Sequence, residues 1–79
     1  MTAARGGLLG WDEYRRSVEW MAQARLAAKM SQAELGRRLG RSQGWVTTRE
    51  TGATRMTRDE VALVAVALGT AVPDMGGGR

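Results

Sequence analysis

Between Ser31 and Gly52 the chain carries helix start and stop signals so closely spaced that neither helix there can exceed about two turns. Ser31-x-x-Glu34 is a capping-box pattern, in which each side chain can take up a backbone N–H of the other residue. It predicts a helix from Gln32, with Leu35 and Leu39 on the inner face and Gly40 as the left-handed residue that ends it. Ser42 can cap a following helix that runs to Glu50 or Thr51, with Gly52 as its terminator. Two helices this short bury little surface alone and have to cross closely. Close crossing needs a small residue on the first helix, a turn residue that tolerates positive φ, and an apolar anchor on the second. Gly36, Gly40 and Val46 supply these in turn.

The flanking sequence reads as further helix. No Gly or Pro interrupts Asp12 to Lys29, and Tyr14, Val18, Met21, Ala24 and Ala28 recur at helical steps, with Asp12 as the expected N-cap. Thr57-x-x-Glu60 is a second capping box, opening a helix with Val61, Val64, Ala65 and Leu68 inward and Gly69 at its end. A polar loop, Ala53 to Met56, precedes it, and Val72 to Met75 is expected to add a single turn. There is no strand signal and no internal repeat. The reading is all-α, a compact domain of four to five helices over residues 12–75, with a flexible arm at 1–11 and a disordered tail at 76–79.

A chain of 79 residues makes one small domain, burying about 60% of its unfolded surface. Domains of that size usually lean on disulfides, a metal or a second subunit. With no Cys and no His, only self-association remains, and the usual zinc sites and thiol or imidazole catalysis are excluded. No Gly-rich phosphate loop follows a strand, and the carboxylates read as caps or solvated positions. No enzyme activity, metal, cofactor or small-molecule ligand is expected. No apolar run approaches the ~18 residues of a membrane span, and no signal-peptide pattern is present, so a cytoplasmic location is expected. A chain opening at Met1 is expected to be a whole gene product.

Charge is unevenly distributed. Arg25, Lys29, Arg37, Arg38, Arg41, Arg49, Arg55 and Arg58 stand against only Glu34 and Glu50 across the centre, whereas residues 1–24 sum to zero and residues 59–79 to −2. A basic centre suits a polyanion such as nucleic acid.

The stretch SQAELGRRLGRSQGWVTTRETG resembles the Cro/C1-type (XRE, lambda-repressor-like) helix-turn-helix domains, and the resemblance covers about residues 18–75. It implies a central helix-turn-helix whose second helix enters the major groove of double-stranded DNA, and a homodimer on two half-sites. Ser31-Gln32 matches the family's start of helix two, which implies that Gln32 and the helix N-terminus hold a phosphate. Arg25 and Glu50 match a structural ion pair between helices one and three. Leu35, Leu39, Val46, Val61, Val64 and Leu68 match core positions. Arg41 and Arg49 stand where apolar residues are more usual, and Lys29 replaces a common Gly before Met30. Burying an unpaired Arg49 would be costly, so its head is expected to reach outward to phosphate.

At 100° per residue, Val46 and Glu50 point to the core, and Gln43, Gly44, Thr47, Thr48 and Thr51 fan across the opposite side. Gln can bond an adenine edge in bidentate fashion, and Thr offers a hydroxyl and a methyl. Gln43 and Thr47 are therefore the first candidates for base readout, with Gly44 and Thr48 next. Arg41 and Arg55, before and after this helix, are placed to straddle phosphates, together with Ser42. Trp45 is open to three roles: packing, a phosphate contact, or a cation–π partner of Arg49. Arg37 and Arg38 are weaker candidates.

The resemblance implies a sequence-specific transcriptional repressor, probing its operator as a dimer and regulating its own gene, like small Cro-like phage or mobile-element regulators, including anti-CRISPR-operon repressors. Chain length is expected to leave no room for a sensor domain. The dimer surface is expected around Val72 and Met75, or around Leu8, Leu9, Trp11 and Trp20. Two alternatives are an antitoxin, which would also bind a protein partner, and a scaffold without a DNA role.

Overall fold

A computed structural model describes residues 9–73 and contains four helices: α1 Trp11–Ala27, α2 Gln32–Leu39, α3 Gln43–Glu50 and α4 Arg58–Leu68. Three of them start where a hydroxyl takes up a free N–H group of the first turn. Ser31 Oγ accepts the Glu34 N–H at 3.0 Å, and Ser42 Oγ accepts the Trp45 N–H at 3.1 Å. Thr57 Oγ1 accepts the Glu60 N–H at 3.1 Å while the Glu60 carboxylate accepts the Thr57 N–H at 3.1 Å, completing the box at α4. At α2 only the serine half forms. The Glu34 carboxylate turns instead to Arg38, 3.3 Å away on the next turn.

Helix α1 departs from the sequence reading at its start. Gly10, not Asp12, is the cap residue, because Glu13 reaches back to accept the Gly10 N–H at 3.0 Å. Asp12 lies within the first turn and pairs with Arg15. Glu13 is buried, and Arg58 of α4 binds the same carboxylate oxygen at 2.7 Å. The bond from the Gly10 N–H, then that from Arg58, hold the Glu13 carboxyl below its ordinary value of 4.5, against the opposing effect of burial.

Helices α2 and α4 end on left-handed Gly40 and Gly69 at φ 70°, and a left-handed residue follows the caps of α1 and α3, Lys29 at φ 58° and Gly52 at φ 85°. Lys29 is the only non-Gly residue with positive φ among the described residues. It stands in a conformation that costs an L-residue about 1–2 kcal/mol and costs Gly little. The turn persists because the Met30 N–H reaches back to the Arg25 carbonyl at 3.1 Å.

The core is built from Leu9, Met21, Met30, Leu35, Val46, Met56, Val61, Val64 and Ala65. On α1 the buried stripe is Glu13, Ser17 and Met21, so of the apolar positions of the sequence only Met21 is central; Tyr14, Val18 and Ala24 are half-buried and Ala28 is exposed. Leu39 and Leu68 are half-buried rather than central. Leu9, expected in a flexible arm, is 2% exposed, and its N–H donates to the Met56 carbonyl at 3.3 Å. Leu9 therefore belongs to the bundle, since an apolar residue packed in the core is worth more inside than in water. Val72 and Pro73 are not helical, while Asp74, Met75, the tail at 76–79 and residues 1–8 lie outside the described residues. No helix among the described residues is long and apolar enough to cross a membrane.

Two outcomes follow. Lys29→Gly is expected to raise stability by about 1 kcal/mol, measured by thermal or urea denaturation. Glu13 has a lowered folded-state pKa, so its contribution is present above pH 4.5 and fades as pH falls through the lowered value. Glu13→Gln should therefore cost stability at neutral pH and reduce the loss on acidification, seen by comparing urea midpoints of both proteins across an acid pH series.

Candidate functional site

Helix α2 packs chiefly on α3, and the crossing is held tight at Gly36. A Cβ there would come within 2.8 Å of the Arg41 carbonyl oxygen and 3.0 Å of that of Ser42, too close for any side chain. The Arg41 N–H donates to the Gly36 carbonyl at 2.8 Å, so the turn folds directly onto the helix it leaves. Val46, fully buried, anchors α3 from the other side.

The far end of α3 is fixed by Glu50. Arg25 Nε donates to one carboxylate oxygen at 2.6 Å and Nη2 to the other at 3.1 Å, while Nη1 takes the Met30 carbonyl at 2.8 Å. Gln32 Nε2 donates to Glu50 Oε1 at 3.0 Å. The side chains of Arg25 and Glu50 are 12% and 6% exposed, so this is a largely dehydrated, bidentate pair. Its bond to Glu50 raises the Arg25 pKa above an already high value.

Gln32 extends the same network to the outward side of α3. Its carbonyl oxygen accepts from Thr47 Oγ1 at 2.9 Å and lies 3.5 Å from Gln43 Nε2. One amide hydrogen of Gln32 goes to Glu50 and the second has no partner among the described residues. Gln43, Gly44 and Thr51 are exposed and Thr47 is half-exposed, forming a continuous uncharged polar strip. Thr48 does not join it. Its hydroxyl donates to the Trp45 carbonyl at 3.0 Å and receives Arg49 Nη1 at 3.1 Å, which turns it to the flank. Ser42 is exposed, with its oxygen already used as the cap of α3.

The arginines separate into two groups. Arg49 does not reach outward as expected: its side chain is 15% exposed, its Nη2 lies 3.6 Å from Glu60 of α4, and its guanidinium lies 4.3 Å from the centre of the Trp45 ring. The carboxylate of the capping box at α4 and the indole face offer the head a partner without leaving the protein, although Arg49 Nε remains buried with no bond. Arg37 and Arg38 sit beside Glu34 on a solvated face. Arg41 is exposed in the turn before α3, and its guanidinium lies 5.4 Å from the centre of the same Trp45 ring. Arg55, in the loop after α3, lies 4.4 Å from the centre of the Trp11 ring and 6.0 Å from that of Tyr14, and its Nη1 donates to the Leu9 carbonyl at 3.3 Å. Neither Arg41 nor Arg55 has a carboxylate partner among the described residues. The sequence reading missed Trp11 as a partner of Arg55, and the bond from the Tyr14 hydroxyl to the Gly52 carbonyl that holds the intervening loop on α1. Only the aromatic spacing Trp11-x-x-Tyr14 hinted at either.

A family model described as a helix-turn-helix domain matches residues 19–75 of the chain. No curated protein matches it, and no solved structure does.

Arg25→Ala would leave the Glu50 carboxylate dehydrated and without its countercharge. The expected loss is about 3–5 kcal/mol of unfolding free energy, a large share of what a small domain has, measured by urea denaturation at neutral pH.

Proposed function

Because the chain belongs to the helix-turn-helix domain family, we propose that it binds double-stranded DNA with α3 in the major groove and acts as a transcriptional regulator. The observation that carries this reading is the outward side of α3. It bears no carboxylate, presents Gln43, Gly44 and Thr47 toward solvent, and is bracketed by Arg41 and Arg55, whose charges no acidic side chain compensates among the described residues.

In this reading Gln43 and Thr47 read base edges, and Gly44 lets the backbone approach closely. Thr48 contributes less, since its hydroxyl is already engaged on both sides. Gln32 holds a phosphate with its remaining amide hydrogen while its other bonds stay in place. Arg41, Arg55 and the Ser42 hydroxyl take phosphates on either side of the groove. Trp45 serves the interface through Arg41, and Arg49 acts as a brace between α3 and α4. Arg25 and Glu50 orient the helix without touching DNA.

We further propose a Cro/C1-type repressor that occupies an inverted-repeat operator as a dimer, controls its own gene from the cytoplasm, and comes from a phage or mobile element. The lambda-repressor-like pattern supports it: Ser31-Gln32, the close crossing at Gly36 and the Arg25–Glu50 pair fall together in one short span. Leu63, Val66 and Val72, all more than half exposed, offer apolar surface for the dimer on the side of α4 and the chain that follows it. Leu9 is unavailable for that contact because it is buried.

Mobility shift with the DNA upstream of the protein's own gene against scrambled DNA, across a salt series, tests the reading. The expected result is tight binding to an inverted repeat with half-sites about one helical turn (~34 Å) apart. Equal, weak and steeply salt-dependent binding to both DNAs would overturn sequence-specific regulation and point to a protein partner. Gln43→Ala should weaken operator binding by about 1–3 kcal/mol and relax preference at one base pair; an unchanged binding profile would remove Gln43 as a reader.

A further inference from the structure

Of the eight basic side chains between Arg25 and Arg58, five lie beside a carboxylate: Arg25 beside Glu50, Arg37 and Arg38 sharing Glu34, Arg49 beside Glu60 and Arg58 beside Glu13. The two arginines at the ends of α3 are treated differently. Each lies over an indole in place of a carboxylate, Arg41 over Trp45 and Arg55 over Trp11. A carboxylate would cancel the charge, whereas an aromatic face restrains the guanidinium and leaves its charge and most of its N–H edges free.

The pairing at Trp11 is the more telling one. Trp11 is the first residue of α1 and is 70% exposed, so burial of its own surface does not explain its place. Its ring meets Tyr14 edge-on at 5.8 Å, and Tyr14 is bonded to the Gly52 carbonyl in the loop that carries Arg55. The Leu9 carbonyl accepts one Arg55 N–H at 3.3 Å. Three contacts from the start of α1 thus fix a flexible, uncompensated cation directly after the outward strip of α3. An arginine that is already ordered loses less conformational freedom on taking a phosphate.

We propose that Trp11 is a positioning residue for DNA binding: it holds Arg55 as a pre-ordered phosphate clamp, the counterpart of Arg41 on Trp45 at the other end of α3. This rests on the DNA-binding reading above and extends it to a segment outside the helix-turn-helix.

The test uses the full chain and a short duplex of arbitrary sequence, titrated at several salt concentrations, with folding of each variant checked by circular dichroism. Trp11→Leu keeps apolar bulk and removes the π face, and Trp11→Phe keeps a π face. Trp11→Leu should weaken binding by about three- to tenfold, the range that a partly exposed cation–π contact supports. It should also lower the slope of log affinity against log salt by up to about one, as loss of one phosphate contact would. Trp11→Phe should recover most of both. In an Arg55→Ala background, Trp11→Leu should have no further effect. Wild-type binding left unchanged by Trp11→Leu, or an undiminished effect of Trp11→Leu in the Arg55→Ala background, would overturn the positioning role alone. Absence of duplex binding by the wild type would overturn the DNA reading itself, and the positioning role with it.

Discussion

The carboxylate of Glu50 closes α3, and what holds it decides where the outward side of that helix points. Arg25 grips it from the last turn of α1 and Gln32 from the first turn of α2. The same guanidinium takes the Met30 carbonyl in the turn between those helices. One dehydrated charge pair therefore relates the end of α1, the start of α2 and the end of α3. Such a pair gains little net stability over well-packed apolar residues, because both ions must leave water. What it does supply is direction: a bidentate bond accepts one geometry, whereas an apolar contact tolerates sliding. A helix whose side chains must meet a partner in register benefits from that direction.

The rest of the bundle is consistent with a core too small to enforce orientation unaided. Three of its buried residues, Met21, Met30 and Met56, are flexible thioethers that fill irregular gaps without specifying a unique packing. Precision comes from the rim. Gly36 brings the backbone of the turn against α2, Glu13 and Arg58 tie α1 to α4, and Arg49 and Glu60 tie α3 to α4. Glu13 and Glu60 each perform two tasks, capping a helix and anchoring an arginine from another element. In so short a chain, polar residues that serve local and tertiary structure at once replace the apolar layers that a larger domain would use.

What could be read from sequence follows the range of the interaction responsible. Ser42 at the start of α3, Gly40 at the end of α2 and the Thr57–Glu60 box act within three or four residues, so their spacing alone exposes them. The buried side of α1 could not be found that way, because Glu13 and Ser17 are buried only through partners: Arg58 across the bundle, and the Tyr14 carbonyl for the serine hydroxyl. Arg49 misled for the same reason. Its position suggested an outward head, but Glu60 and Trp45 offer it a partner that no local pattern reveals. On the candidate interface, Gln43, Gly44 and Thr47 follow from helical geometry once Val46 is recognised as the anchor. Thr48 and the stacking of Arg55 on Trp11 depend on neighbours that only the folded chain brings together.

Charge shows most clearly the distance between composition and function. The basic centre of the sequence suggests a broad positive surface, yet Arg25 and Arg49 are held inside the bundle and Arg37, Arg38 and Arg58 stand beside carboxylates at its surface, which leaves Arg41, Arg55 and Lys29 without a carboxylate partner among the described residues. Between the two arginines lies an uncharged strip whose amide and hydroxyl groups already share bonds through Gln32. A surface of that kind attracts a polyanion through a few fixed points, not through a diffuse field. Discrimination then falls to neutral hydrogen-bonding groups, which lose most when left unpaired against a wrong partner. In the proposed DNA-binding role, pairing of arginines with carboxylates would serve recognition as well as stability, because fewer free charges mean weaker attachment to any polyanion that the strip cannot match.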